Sequence, residues 1–293
     1  MLTKRDIQIQ FEQIGSLATL VEVYGQIAAD RMIKIRSAVL RNRVFLNAIN
    51  EIFTDTLASY AKKLSNLLNS GKIKAQENGR LTFLAHNGKT VSVFISANTG
   101  FYGNVIYRVF AKYLEDLKKD PNVEATIIGR VGRAFFVESM PNTPFTFFDI
   151  PDYGISPSAL DEAIKHLVQY EEIRIYYAEY KSVINQEPTK RSIVAGTPIQ
   201  RQIQEPKVEY IFEPSIEAIL TFFETQIFAS LFDQSLRESQ LAKYASRILA
   251  MQIAQDNINK RKKELAIQKF KISHQINEKK QINSLAPLFA CKF

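Results

Sequence analysis

No tryptophan and a single cysteine, Cys291, occur among the 293 residues. One cysteine excludes an internal disulfide and a cysteine-rich metal centre. The missing tryptophan, beside abundant Ile, Lys, Asn and Phe, points to an AT-rich genome and carries no chemistry. No uninterrupted apolar stretch approaches the roughly 18 residues that a membrane helix needs, so no transmembrane span is expected. Nor does an apolar core follow Met1-Leu2-Thr3-Lys4-Arg5-Asp6, so no signal peptide is expected and the chain should stay in the cytosol. The phosphate-cradling patterns G-x-x-x-x-G-K-[ST] and G-x-G-x-x-G are both absent. His86, His166 and His274 lie far apart without ligand spacing, which argues against a metal site. Asp149 with Asp152, or Glu171 with Glu172, can be drawn as acid-base pairs, but no pattern positions them and a solvated surface is the expectation.

Proline is missing from two long stretches, Thr3 to about Ser70 and Ser215 to Ala286, and both read as helix. At about 1.5 Å per residue the second alone would be on the order of 100 Å long, so it must find a partner along its length. In the first, Ile7, Phe11, Ile14, Ala18, Val21, Gly25, Ala28, Met32, Ile35, Val39, Leu46, Ile49 and Phe53 follow the alternating four-and-three spacing of a left-handed coiled-coil seam, with Asn42 its polar interruption. Small residues at Ala18, Gly25 and Ala28 would let a partner helix approach closely. The second stretch carries a looser stripe through Ile216, Leu220, Phe223, Ile227, Leu231, Leu241, Ala245, Ile248 and Leu249 before turning polar and basic. Two helical ends separated by a folded region imply an antiparallel intramolecular pair with a globular domain at one end.

The hydrophobic share of 46% and charged share of 23% are those of an ordinary folded protein. Leu81–Ala85 and Val91–Ile95 flank His86-Asn87-Gly88-Lys89 and are expected to form a hairpin. A glycine-punctuated loop, Ser96 to Gly103, leads to an amphipathic helix from about Asn104 to Lys119, stopped by Asp120-Pro121. Ala125–Ile128 and Ile173–Tyr180 read as strands and Ser158–Tyr170 as a helix. Pro141, Pro144, Pro151 and Pro157 mark an irregular stretch, and Glu187–Pro206 reads as a loop with one or two edge strands. This alternation predicts a small, mostly parallel sheet covered by helices. Gly100-Phe101-Tyr102-Gly103 and Gly129-Arg130-Val131-Gly132 read as tight turns that use glycine's backbone freedom.

The net charge of +8 calls for a partner or a large solvated basic face. Cations gather at Arg31, Lys34, Arg36, Arg41 and Arg43, and again at Lys260, Arg261, Lys262 and Lys263. Nucleic acid, plain solvent and an acidic protein are the three readings. The aromatic interleaving and fold signatures of nucleic-acid binding are missing.

Several segments together carry a resemblance. Tyr210-Ile211-Phe212-Glu213-Pro214 is similar to a Y-x-Y/F-E-P entry to a last helix. Glu238-Ser239-Gln240-Leu241-Ala242, with Ser246-Arg247 through Gln255-Asp256-Asn257, is similar to S-E-x-x-A-R-M-x-A-M-x-x-A-T-D-N. Asp6-Ile7 through Ala28-Ala29-Asp30-Arg31-Met32 lies without gaps on an opening helix that ends near V-A-A-x-K-M, and Ser96–Asn104 resembles S-D-R-G-L-C-G-G. In this order, over nearly the whole chain, they resemble the gamma subunit of F-type ATP synthases. The match departs at Asn98-Thr99, where the family has D-R, and at Phe101-Tyr102 and Asn104. It departs again at Lys269–Glu278, which keeps little beyond the glutamate, and at the Pro287-containing end.

The resemblance implies an α/β fold class: a long antiparallel coiled coil of N- and C-terminal helices plus a small Rossmann-like α/β domain. The expected divisions are 1–70 for the first helix, 71–209 for the central domain and 210–293 for the last helix and its apolar tail. The implied role is a noncatalytic rotor shaft that binds no cofactor itself, nucleotide and magnesium being held by its partners. Those partners would be three catalytic and three noncatalytic nucleotide-binding ring subunits, an epsilon-like stalk subunit and, in an ordinary synthase, a membrane rotor ring. One copy per complex and no nucleic acid are expected, on the inner face of the cell membrane. Ring contacts are expected at Arg31, Lys34, Arg36, Arg247, Gln255, Asp256, Asn257, Lys260, Arg261, Lys262 and Lys263, and a hydrophobic bearing at Leu285, Leu288 and Phe289. A specialised relative driving motility or export is the second version of this role. A coiled-coil adaptor that binds no ATPase ring is the alternative, and it predicts a homodimer.

Overall fold

A computed structural model describes residues 4–59, 74–75, 80–82, 84, 86–194, 197–198 and 215–290. The Tyr210–Pro214 motif lies outside the described residues. In chain order the elements are α1 (Lys4–Ser59), β1 (Lys74–Ala75), β2 (Arg80–Thr82), β3 (Thr90–Ile95), α2 (Val105–Lys119) and β4 (Glu124–Ile128). There follow α3 (Arg130–Ser139), β5 (Phe145–Phe148), α4 (Pro157–Leu167), β6 (Glu172–Tyr180), β7 (Gln186–Val194), β8 (Thr197–Pro198) and α5 (Ile216–Ala290).

The central sheet has the order β5-β4-β3-β6-β7, parallel throughout except for β7, which runs antiparallel beside β6. Its inner strands are short apolar runs because both faces are covered. Side chains alternate between the faces. Phe94 and Tyr176 meet Tyr113 of α2 at ring-centroid distances of 5.4 and 5.3 Å. Val91, Val93, Ile95, Ile173, Ile175 and Tyr177 share the other face with Ala163 and Leu167 of α4 and Phe228, Phe232 and Leu236 of α5. Each large apolar side chain fully buried there contributes about 1.5–3 kcal/mol. The N-terminus of α4 is set locally, with Pro157 in the first turn and the Ser156 hydroxyl accepting from the Ala159 amide at 3.3 Å.

Three expectations are corrected. Residues 81–82 belong to β2, which pairs with β1 and β8, and β3 is used on both edges by β4 and β6, so among the described residues the expected 81–95 hairpin does not form. The Gly129–Gly132 segment is no simple turn: Gly129 precedes α3 and Gly132 lies inside it. The proline-marked stretch is not wholly irregular, since it contains β5. The edge strand expected within Glu187–Pro206 is present as β7, which carries Pro188 at the sheet edge.

The chain divides into two compact units, Met1–Ala29 with Arg247–Phe293, and Asp30–Ser246. Parts of both long helices thus belong with the sheet. In the first unit, Lys269 Nζ donates to Gln8 Oε1 at 2.8 Å, and a methyl added at Gly25 would meet Met251 Cβ at 3.7 Å, an ordinary contact, so the seam there does not demand glycine. In the second unit, Arg31 meets Tyr244, Asn42 meets Ser230, and Phe53 meets Phe223. Within each unit rising positions on α1 meet falling positions on α5, the antiparallel pairing the seam predicts. Ile7, Ala18, Ala28, Ile35, Val39, Leu46, Ile49 and Phe53 are buried along that seam, and Asn42 Nδ2 donates to the Ser230 carbonyl at 3.1 Å.

Candidate functional site

In open α/β sheets a ligand enters the crevice outside the carboxyl ends of the parallel strands. Here α5 packs there. Lys243 Nζ donates to the Ser96 carbonyl, immediately after β3, at 2.8 Å and to Asp152 Oδ1, in the loop after β5, at 2.7 Å. The second oxygen of Asp152 accepts from the Asn98 and Thr99 amides and the Thr99 hydroxyl, each at 3.0 Å. The Tyr244 hydroxyl donates to the Asp152 carbonyl at 3.2 Å and accepts from Arg31 Nη1 at 3.3 Å, while the Ser246 hydroxyl donates to the Tyr102 carbonyl at 2.7 Å. Burial pushes the Asp152 carboxyl up, but the Lys243 ammonium and the Asn98 and Thr99 hydrogen bonds outweigh it, so it sits below the ordinary carboxylate value. The Tyr244 bond holds the Arg31 guanidinium above its ordinary value against partial burial.

The N-terminus of α3, where an anion would dock, is also engaged. Asn98 Oδ1 accepts from the Arg130 amide at 2.9 Å, the Ala97 carbonyl accepts from the Val131 amide at 2.9 Å, and Arg130 pairs with Asp149 at 2.7 Å. Glycine is required twice. Gly129 has φ of +98° and a methyl there would lie 2.9 Å from the Ala97 backbone, and one at Gly132 would lie 2.5 Å from Ser96 Cβ. Of the two, Asp149 is exposed as expected, though paired with Arg130, whereas Asp152 is not the solvated surface expected of it and lies nearly out of solvent.

A second lock joins the sheet edge to α5. Glu238 accepts from the Tyr177 hydroxyl at 3.0 Å, from Arg191 Nη2 at 3.1 Å and from Gln234 Nε2 at 2.8 Å, while Arg191 Nη1 reaches the Ser235 hydroxyl at 3.1 Å. Between Phe228 and Arg247 the helix is buried on nearly every side, polar residues included.

The expected ring contacts fall into different settings. Lys34, Arg36, Asp256, Asn257, Lys260, Arg261 and Lys263 are exposed, and Gln255 and Lys262 half-buried. Lys34 pairs with Asp30 and Arg261 with Glu264, each at 2.8 Å. Arg31 is half-buried, stacked 4.7 Å over the Tyr153 ring. Arg247 is 4% exposed. Leu285, Leu288 and Phe289 lie in the last turns of α5, but their side chains are outside the described ones.

A protein-family model described as ATP synthase matches residues 3–272. The chain belongs to this ATP synthase family. Within it the chain is similar to the ATP synthase gamma chain of Desulfitobacterium hafniense, at 25% identity covering 92% of each chain. The ATP synthase gamma chain of Halothermothrix orenii is 24% identical, covering 88% of each. Among solved structures, a chain of the Tetrahymena thermophila mitochondrial ATP synthase, from a cryo-EM structure of its central stalk and c-ring, superposes with a TM-score of 0.53 at 17% identity. That superposition covers 80% of this chain and 99% of the other, and it speaks for the fold.

Against the family pattern, the loop departure at Asn98-Thr99 coincides with the joint: Asn98 caps α3 and Thr99 binds Asp152. The substitution is visible in the sequence, but its use is not. Lys243 and Tyr244 carry no such signal in the sequence, since a lysine amid an amphipathic helix looks like a solvated one, and Asp152 reads there only as half of an unpositioned acid pair with Asp149. The one available signal was the density of polar residues on a stretch that also carries Phe228, Phe232 and Leu236, a second apolar stripe implying that α5 is buried on two sides.

Proposed function

We propose that this chain is a gamma-type central shaft of an F-type rotary ATPase, noncatalytic in itself, coupling the nucleotide chemistry of a surrounding ring to rotation. The observation that carries the reading is the occupancy of the strand-end crevice by α5, fixed through Lys243, Tyr244 and Ser246. A domain that grips its own helix where a ligand would enter is suited to hold a shaft, and the antiparallel pairing of α1 with α5 supplies the rod. On this reading the assembly would place three catalytic and three noncatalytic ring subunits around one copy of this chain, with an epsilon-like stalk subunit. The exposed cations Lys34, Arg36, Lys260, Arg261 and Lys263 would meet acidic loops of the ring, guiding register and encounter more than adding affinity. Each angle of the shaft would favour a different conformation of each ring subunit, which is allostery through differential contact. Among the described residues no helix is long and apolar enough to cross a membrane, so attachment to a membrane rotor would run through other subunits.

The test is gentle purification of the tagged chain from its own cells, with stoichiometry by native mass spectrometry. Three copies each of two nucleotide-binding subunits around one copy of this chain is the expected result. Co-purifying membrane-ring subunits would identify a synthase, and a different driven assembly a dedicated motor. A free homodimer would sink the shaft in favour of an adaptor.

A further inference from the structure

At the end of the sheet away from Lys243, where the parallel strands begin, a cavity of about 230 Å³ lies between α1, α5 and the start of β6. All of its described lining belongs to the Asp30–Ser246 unit. Phe53 of α1, Val168 just after α4, Ile193 of β7 and Ile227 of α5 supply apolar wall, with the buried rings of Tyr170 and Phe228 beside them. Three polar side chains share the lining: Asn50 on α1, His86 ahead of β3 and Glu224 on α5. Among the described residues no lysine or arginine lines it. The walls are pinned by the fold. The Asn87 amide donates to the Gln169 carbonyl at 2.8 Å and the Glu171 amide to the Lys89 carbonyl at 3.0 Å, which fastens the segment carrying His86 to the turn carrying Val168 and Tyr170. On the other side the Phe53 and Phe223 rings, 5.8 Å apart, hold α1 against α5. A concave, mostly apolar site with a few polar groups and walls already fixed is the usual form of a small-molecule pocket.

We propose that this cavity binds a small aromatic molecule of about ten non-hydrogen atoms, a fused ring pair in size, whose single hydrogen-bond donor is taken by Glu224. The volume sets the size: a cavity of about 150 Å³ lined by Leu, Ile and Phe holds benzene, so this one has room for a second ring. Phe53, Tyr170 and Phe228 set the preference for an aromatic ligand, since a flat ring can meet theirs edge-to-face or offset. Glu224 sets the head group. A carboxylate accepts hydrogen bonds at about four sites, so it can take a ligand N–H or O–H beside its other bonds. A lining without lysine or arginine gives an anionic head nothing to pair with, and burying such a head there would be costly. The site lies at the opposite end of the sheet from the Lys243 joint, and it does not rest on the shaft reading.

The full chain tests it with indole as the probe. Because the sequence holds no tryptophan, bound indole is read by its own fluorescence. A saturable blue shift with a Kd below about 1 mM is expected. Indene, the same ring pair without the N–H, should compete about fivefold more weakly. Octanol, a donor on a flexible chain, and an indole bearing a carboxylate should each compete at least about tenfold more weakly. Ile227→Phe, which adds a ring to the wall, should weaken indole at least about tenfold, and Glu224→Leu should bring indole and indene to equal affinity. Saturating indole should raise the melting midpoint of the parent and leave that of Ile227→Phe where it is. Circular dichroism of each variant separates lost binding from lost fold. The proposal is overturned if the shift is absent or rises without saturating, if indene, octanol or the carboxylate binds as tightly as indole, or if folded Ile227→Phe binds indole unchanged. An indole preference that survives in folded Glu224→Leu overturns it as well.

Discussion

Lys243 Nζ and Asp152 Oδ1 lie 2.7 Å apart with both side chains all but out of solvent, 4% and 5% exposed. The pair joins α5 to the loop after β5, and it makes further hydrogen bonds with Ser96, Asn98 and Thr99.

Removing one partner leaves a buried charge uncompensated. Lys243→Met should lower stability by about 3–5 kcal/mol, whereas Lys243→Met combined with Asp152→Asn should recover a large part of that loss. Urea unfolding midpoints of the two variants and the parent decide it; a double variant no better than the single would dismiss the pair as the source.

The same carboxyl sets an acid dependence. Its folded pKa lies below the ordinary 3.8, so it binds protons less readily when folded. Its contribution is fully present above the ordinary carboxylate range and is lost as pH falls through the depressed folded value. Between about pH 5 and about pH 2 the urea midpoint of Asp152→Asn should therefore fall less steeply than that of the parent.

Gly129→Ala should cost about 1–3 kcal/mol for backbone strain alone, because its φ of +98° and the Ala97 backbone 2.9 Å away leave no room to relax. Gly25→Ala, by contrast, meets only an ordinary contact with Met251 and removes helix-breaking freedom, so it should raise helix stability by about 0.5–1 kcal/mol. Thermal melts of the two variants should move in opposite directions.

Arg191 ties the edge strand β7 to α5 through Glu238 and Ser235. Arg191→Ala should loosen that edge first, raising amide exchange in β7 about 10- to 100-fold while β3 and β4 stay protected. Uniform loss of protection across the sheet would contradict a local anchoring role.

What the sequence revealed follows the range of its signals. The α1 seam was legible because the same four-and-three spacing recurs along the helix, and Asn42 stood out as its interruption. The parallel sheet was legible from apolar runs alternating with amphipathic helices. Short elements were not: β5 is four residues between prolines, and α3 directly follows a glycine, so local chemistry argued for irregular chain in both places. Pairing partners were also beyond reach, since residues 81–82 look equally ready to fold back on β3 or to join β8, and tertiary context selects the latter. The joint itself escaped notice because Lys243 and Asp152 are 91 positions apart, and neither carries a local mark of burial.

Lys243, Tyr244 and Ser246 leave α5 in three different directions around its axis, and each is caught by a different piece of backbone or carboxylate. A rod gripped along one side can roll in its seat. Held across an arc of about 160°, this helix behaves as a keyed one: rolling it by a single residue, about 100°, would withdraw all three keys together. Twist applied to the helix must therefore reach the sheet without slip, and the weakest point under torsion should lie elsewhere along the rod.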